Sequence, residues 1–289
     1  MNSKVSIIIP CYNAEKTISK CLKSIFNSIS NFNDLYSFEI IVINDGSNDQ
    51  TLSIVKEFDE IKIINHNKNL GLSSARNSGI KATDSEYIIF IDSDIILSVN
   101  WVADMITTMH KDNDIIGITG NLESSSKENI SVLDKYLFGK YRGMKVINIE
   151  QPLDYRSFVF SNTIIRRSIL NTVGVFDDSL KNYGGEDTEL AIRIHKKAPY
   201  SMRKLITVTG YHITHKTVQN HLDHMFEYGK YNFHKIIQKH PAYRNELGYR
   251  WTTSFWRGFL FNSLNVLICS LLLKKINNSL LVKFLVINS

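Results

Sequence analysis

Cysteine is scarce in this chain. Cys11, Cys21 and Cys269 are the only three among 289 residues, too few and too irregularly placed for a disulfide framework or a cysteine zinc site. A reducing compartment is the simpler expectation. The glycine signatures of common nucleotide sites are missing as well: neither a G-x-G-x-x-G dinucleotide turn nor a G-x-x-x-x-G-K-[ST] phosphate loop occurs. No internal repeat is visible. The start, "MNSKVSIIIP", has one lysine and only a short apolar run before Pro10, which is too short for a signal-peptide core and is expected to form a first strand. The basic residues are scattered and no nucleic-acid-binding motif accompanies them, so no nucleic-acid partner is expected.

The composition that is present, 43% hydrophobic and 21% charged, belongs to a globular chain. Its length suffices for one large α/β domain or two modest ones. Lys and Arg total 34 against 28 acids, a balance of +6 that suits anionic partners such as nucleotide phosphates or acidic lipid headgroups.

Hydrophobic patterning sets the architecture. Residues 5–9, 38–43, 61–64 and 87–91 are short apolar runs suited to strands, and helical spacing separates them at 14–29, 51–58 and 73–82. Strands that are apolar throughout and alternate with helices imply a doubly wound, mainly parallel α/β sheet with helices on both faces. Residues 158–170 resemble a buried strand leading into a helix, 184–197 a glycine loop leading into another, and 217–250 a helical extension. In such sheets ligands gather beyond the carboxyl ends of the strands. Three polar clusters fall there: "PCYN" at 10–13, "NDGS" at 44–47 and "DSD" at 92–94.

The last cluster poses an electrostatic question. If the strand continued through it, Asp92 and Asp94 would point to one side, roughly 7 Å apart. At an effective dielectric of about 20 their repulsion costs roughly 2 kcal/mol, which a divalent cation would offset. The alternative is a solvated turn, since Asp and Ser are frequent turn formers.

"SIIIPCYNAEKTISKCLKSI", "EIIVINDGSND", "NLGLSSARNSGI", "YIIFIDSD", "VGVFDDSLKNYGGEDTELAIRI" and "GYHITH" occur in the order typical of family 2 glycosyltransferases. The chain resembles these inverting enzymes with the GT-A nucleotide-sugar fold over residues 4–216, about three quarters of its length. The resemblance implies a glycosyltransferase domain at 1–216, with a nucleotide-binding half at 1–120 and an acceptor half at 121–216.

It also implies roles. Pro10, Tyr12 and Asn13 resemble the loop lining the nucleoside, where Tyr12 offers a flat apolar face to a pyrimidine. Asp45 resembles the carboxylate that accepts the uracil imino N–H; a helix cap is the other reading of that aspartate. Asn44 stands where the family often has a second Asp, which removes a nearby charge. Arg76 resembles the basic residue beside the uridine and its phosphates, and Asp92 the residue that holds the ribose hydroxyls. Asp94 resembles the ligand of a divalent ion, Mn²⁺ or Mg²⁺. His212, 25 residues beyond Asp187, matches the position from which some relatives supply an imidazole, which favours Mn²⁺; His215 competes for that role. Asp187 in "GGED" resembles the catalytic base that takes the proton of the acceptor hydroxyl. Glu186, which precedes it in the first helical turn, is expected among the substrate-binding residues; the dipole there favours an ionised carboxylate, and acids are also common there for stability alone. Asn162 is expected in the acceptor pocket, and Glu189 in a structural role.

The expected reaction is metal-dependent transfer from a UDP-sugar donor to a hydroxyl of a polysaccharide or lipid-linked oligosaccharide. Two rivals are a sugar-phosphate nucleotidyltransferase and a noncatalytic carbohydrate-binding protein on the same fold. The first usually carries a glycine- and arginine-rich loop after its first strand, and "PCYNAEKT" has neither. Against the second stand Asp94 and Asp187. Processive polymer-forming relatives carry Q-x-x-R-W; "LGYRW" at 247–251 has Leu247 in place of Gln.

Beyond residue 250 the composition turns apolar. The stretch 258–273 is only 16 residues long and is interrupted by Asn262, Ser263 and Asn265. That falls short of the roughly 20 needed to span a bilayer. A helix lying in the interface, one spanning with help from neighbours and one packed on the core all fit it, with Trp251, Trp256 and the lysines as interfacial anchors in the first two. Peripheral contact with the cytoplasmic face of a membrane is the corresponding expectation.

Overall fold

The computed structural model describes residues 3–30, 36–126, 131–138, 152–213 and 217–250. The expectations for His215 and for 251–289 lie outside the described residues. Two compact units divide the chain: the first comprises 1–125, 147–181 and 186–213, the second 126–146, 182–185 and 214–289.

In the first unit, β1 (Ser3–Cys11), α1 (Ile18–Ile29), β2 (Tyr36–Asn44), α2 (Thr51–Val55), β3 (Ile61–Asn65), α3 (Leu72–Lys81) and β4 (Tyr87–Ile91) alternate as the apolar runs predict. Then come β5 (Ile95–Leu97), α4 (Trp101–Lys111) and β6 (Gly117–Ser124). After α5 (Val132–Leu137), which belongs to the second unit, follow β7 (Asn162–Arg166), α6 (Arg167–Val173), α7 (Glu186–Lys197) and β8 (Met202–His212). The eight strands among the described residues form one sheet in the order β3-β2-β1-β4-β7-β6-β8-β5. The pairs β3–β2, β2–β1 and β1–β4 are parallel, as expected for a doubly wound half. Beyond β4 the sheet is mixed: β7 runs antiparallel to both β4 and β6, while β8 is parallel to β6 and antiparallel to β5.

Strand β4 is buried at every position and β1 at its last seven, so both faces of the sheet centre are covered. Helix α1 buries Ile18, Leu22, Ile25 and Ile29 on one stripe, each such side chain contributing roughly 1.5–3 kcal/mol. The polar residues of that stripe serve the next elements. Ser24 Oγ accepts from the Leu97 N–H at 3.0 Å, and Ser28 Oγ accepts from the Val102 N–H at 3.0 Å. Val102 is in the first turn of α4, whose own N-cap side chain makes no capping bond, so α1 satisfies an orphan donor there.

The second unit contains α8 (Val218–Glu227), a π-helical turn at Tyr228–Phe233 and α9 (His234–Lys239). Asn232, wholly buried in the π turn, donates its amide to the carbonyls of Asn182 and Gly184, both at 2.8 Å.

Candidate active site

The strand ends do converge. The Asp45 N–H donates to Cys11 O at 2.8 Å, Ser47 Oγ accepts from the Asn13 N–H at 3.0 Å, and Asn13 Oδ1 accepts from the Asn48 N–H at 2.9 Å. Asn13 itself sits at φ 50°, a left-handed conformation that Asn tolerates. These bonds lace the loops after β1 and β2 together and leave the Tyr12 ring 48% exposed, while Pro10 stays buried inside β1. Gly46 permits the same crowding: at φ +72° its backbone passes so close to Lys68 that a Cβ would lie 2.4 Å from the Lys68 carbonyl carbon.

Asp92 and Asp94 do not continue the strand. The Ile95 N–H returns to Asp92 O at 3.0 Å, so the two carboxylates occupy a tight turn between β4 and β5. The turn is nonetheless not simply solvated, because each side chain is 31% exposed and each has a partner. Asp94 Oδ2 lies 3.3 Å from His212 Nε2. The β5–β8 pairing sets Ile95 opposite His212, and the Ile213 N–H donates to Asp94 O at 2.8 Å, which fixes that meeting through the backbone. Among the described residues no group of three or more His, Cys, Asp or Glu side chains forms a metal cage. Asp94 and His212 do bring a carboxylate oxygen and an imidazole nitrogen together, donor types that a divalent ion could take.

Arg76 does more than border the site. It is 1% exposed and points from α3 into the space between two carboxylates. Its Nη2 donates to Asp92 Oδ1 at 3.0 Å and its Nη1 to Asp187 Oδ1 at 2.7 Å, and its guanidinium carbon stands 5.1 Å from the centroid of Phe176. Burial works against its charge, but Asp187 and then Asp92 outweigh burial and hold the guanidinium above its ordinary pKa. Among the described residues its Nε has no hydrogen-bond partner.

Asp187, 20% exposed in the first turn of α7, accepts from Arg76 and, on Oδ2, from the Phe160 N–H at 3.0 Å. Burial pushes its carboxyl up, against the pull of Arg76 and Phe160. Its neighbour Glu186 is pushed up to about 7, first by burial and then by the charge of Asp187. Glu189 faces away from this chemistry: it pairs with Arg193 at 2.7 Å, and Arg193 also donates to the carbonyls of Val173 and Val175. That is the structural clasp expected of it.

The expectation for Asn162 needs revision, and the helix-cap alternative for Asp45 falls away. Asn162 is 0% exposed, so it has no surface with which to line an acceptor pocket. Its Nδ2 donates to Asn121 O at 2.8 Å, and it fills the space that Gly120 and Gly210 leave, where a Cβ would come within 2.8 and 2.9 Å of its amide. Asp45, only 5% exposed, does not cap a helix through its own chain; its oxygens accept from the N–H groups of Leu70 and Gly71, both at 2.9 Å. His66, which drew no attention in the sequence, contacts the same carboxylate at 2.6 Å. A lone histidine after a strand carries no pattern that could have marked it. Cys11 and Cys21 are buried, and burial pushes the Cys11 thiol up to about 12, which removes it from nucleophilic chemistry.

The family model described as "Glycosyl transferase family 2" matches residues 6–174. Among curated proteins, chondroitin synthase of Pasteurella multocida (strain Pm70) is 28% identical over 280 residues, covering 84% of this chain and 28% of its own length. Poly-beta-1,6-N-acetyl-D-glucosamine synthase of Staphylococcus epidermidis is 28% identical over 199 residues, 66% of this chain and 45% of that protein. The chain thus spans less than half the length of each of these two relatives. Among solved structures, S. aureus TarS 1–349 in complex with UDP-GlcNAc superposes with a TM-score of 0.62 at 19% identity, over 90% of this chain and 76% of that one.

Proposed function

The chain belongs to glycosyltransferase family 2, and from that premise we propose that it moves a sugar from a UDP-sugar to a hydroxyl of a polysaccharide or lipid-linked oligosaccharide, with inversion. The observation that carries this reading is the placement of Asp187 and the Asp92–Asp94 turn on one guanidinium, that of Arg76. The complex of TarS with UDP-GlcNAc supports the choice of donor.

In this reading Tyr12 covers one face of the uracil, Asp45 accepts its imino N–H, and Asp92 holds the ribose. Asp94 and His212 hold the divalent ion, and Mn²⁺ suits an oxygen–nitrogen donor pair better than Mg²⁺ does. When bound, the ion neutralises charge that builds on the departing nucleotide. Asp187 takes the proton of the attacking hydroxyl on the face opposite the nucleotide, with Phe160 and Arg76 fixing its orientation. Glu186, whose charge burial disfavours, is pushed up to about 7 and, while it keeps its proton, spares Asp187 a second adjacent anion.

No helix among the described residues is long and apolar enough to cross a membrane. The apolar sequence 258–273 supports peripheral contact at the cytoplasmic face of a membrane, where lipid-linked acceptors sit.

A panel of UDP-sugars, each assayed for thermal stabilisation and transfer with and without Mn²⁺, tests the whole reading. Stabilisation and transfer by at least one donor, both lost on chelation, are expected. Activity indifferent to a chelator would overturn the metal assignment, and absence of binding by any UDP-sugar would overturn the donor.

A further inference from the structure

Two linked side chains in the first unit have no role in the chemistry described: Ser78 and His66, which lead to Asp45. His66 follows β3, and its ring is 10% exposed. Its Nδ1 stands 2.6 Å from Asp45 Oδ1 and its Nε2 2.9 Å from Ser78 Oγ, on the same helix as Arg76. Its backbone N–H donates to Asn44 O at 2.9 Å, and Asn44 Nδ2 donates to Asn65 Oδ1 at 2.5 Å, so the loops after β2 and β3 are held together around the ring. An ionised carboxylate can only accept, so opposite an ionised Asp45 the donor in this contact is His66 Nδ1.

An ionised carboxylate offers about four acceptor positions. On Oδ1 one is taken by the Leu70 N–H and one by His66; on Oδ2 one is taken by the Gly71 N–H. We propose that His66 is a positioning residue for base recognition: anchored by Ser78, it fixes the Asp45 carboxylate so that the single acceptor position left, on Oδ2, is presented to the imino N–H of uracil. The inference rests on the reading of Asp45 as the uracil contact. With the side chain only 5% exposed, Asp45 offers a point and not a surface, which suits one N–H donor. Cytosine presents an unprotonated ring nitrogen at that place, and two acceptors would face each other. A carboxylate free to rotate could turn a filled oxygen toward the base and lose the distinction.

Calorimetric titration of the full chain with UDP and, separately, with CDP, both with Mn²⁺, tests this. The ratio of the two affinities is the readout, because a residue that merely pins loops would weaken both nucleotides alike. His66→Ala is expected to lower the UDP:CDP ratio by about tenfold, the usual scale for a lost hydrogen bond to a charged group. His66→Asn, whose amide N–H stands near the place of Nδ1, should restore most of the ratio, and Ser78→Ala should lower it by about two- to threefold. An unchanged ratio in His66→Ala overturns the proposal; if that variant does not fold, an unchanged ratio in Ser78→Ala does so. Asp45→Asn separates the two levels. If it leaves the ratio unchanged, the base contact itself is wrong; if it erases the preference while His66→Ala does not, only the positioning role falls.

Discussion

Arg76 and Asp187, 111 residues apart in sequence, meet as a buried ion pair with Nη1 2.7 Å from Oδ1. The same guanidinium holds Asp92, so one side chain joins the helix after β3, the turn after β4 and the first turn of α7. Removing one partner of such a pair leaves buried charge without compensation. Arg76→Ala is therefore expected to cost about 3–5 kcal/mol in urea unfolding and to abolish transfer. Arg76→Lys keeps the charge but not the fork that reaches two carboxylates, and should recover only part of the stability. Full stability in the Ala variant would mean that the triad adds nothing to the fold.

Asp187→Asn tests the base directly. The amide oxygen can still accept from Phe160 or Arg76, so the fold should survive, while the group can no longer take a proton. Loss of a general base typically lowers the rate by about 10²–10⁴. That loss should fall on the transfer rate, with UDP affinity held within about threefold as measured by calorimetry. A transfer rate within tenfold of the parent would assign the base elsewhere, Glu186 being the next carboxylate.

Glu186 gives stability a pH dependence of definite sign. Its carboxyl stands near 7 in the fold against an ordinary value of 4.5. Between those values the folded chain keeps a proton that the unfolded chain has released, so stability falls as pH rises through that window and levels off above it. Burial raises Asp187 in the same direction, so the comparison with a variant isolates the glutamate. Urea unfolding at pH 5 and pH 7.5 should show Glu186→Gln gaining on the parent by about 2 kcal/mol between the two conditions. A constant difference at both pH values would show that Glu186 titrates normally.

His212 separates the metals. His212→Ala removes the one nitrogen from a pair otherwise built of oxygen, so the Mn²⁺ concentration for half-maximal transfer should rise by at least about tenfold while Mg²⁺ dependence changes less. Asp94→Ala should impair both ions. Equal response of the two metals to His212→Ala would remove the imidazole from the shell.

The parallel half of the sheet was legible because each of its strands is a short, mainly apolar run, and because the polar residues that end β1, β2 and β4 must lie on one edge once the sheet is parallel. The turn at Asp92–Asp94 was half legible: the carboxylates were visible, but the Ile95–Asp92 bond that bends the chain was not. The antiparallel half was not legible, since the pairing of Ile95 with His212 is a long-range register that no local pattern encodes. Asn162 misled for a related reason. An Asn at a strand end reads as a site residue until Gly120 and Gly210, distant in sequence, are found packed against it. Arg76 was found through its motif, and its partners only through the fold.

The double glycine before α7 separates two kinds of cost within the second unit. Gly184 and Gly185 both have positive φ, +81° and +93°, so an alanine at either pays the left-handed penalty of about 1–2 kcal/mol. Around Gly184 the nearest atom to an added Cβ is 3.5 Å away, an ordinary contact. At Gly185 the Cβ would lie 2.5 Å from Ile236 Cδ1 and 2.8 Å from Tyr228 Cε2, and Ile236 is wholly buried and has little room to yield. Overpacking adds about 1–3 kcal/mol to the backbone term. Gly185→Ala should therefore destabilise the protein by about twice as much as Gly184→Ala in urea unfolding. Equal losses would show that Ile236 and Tyr228 move aside freely, and that the loop before Glu186 needs glycine for its backbone alone.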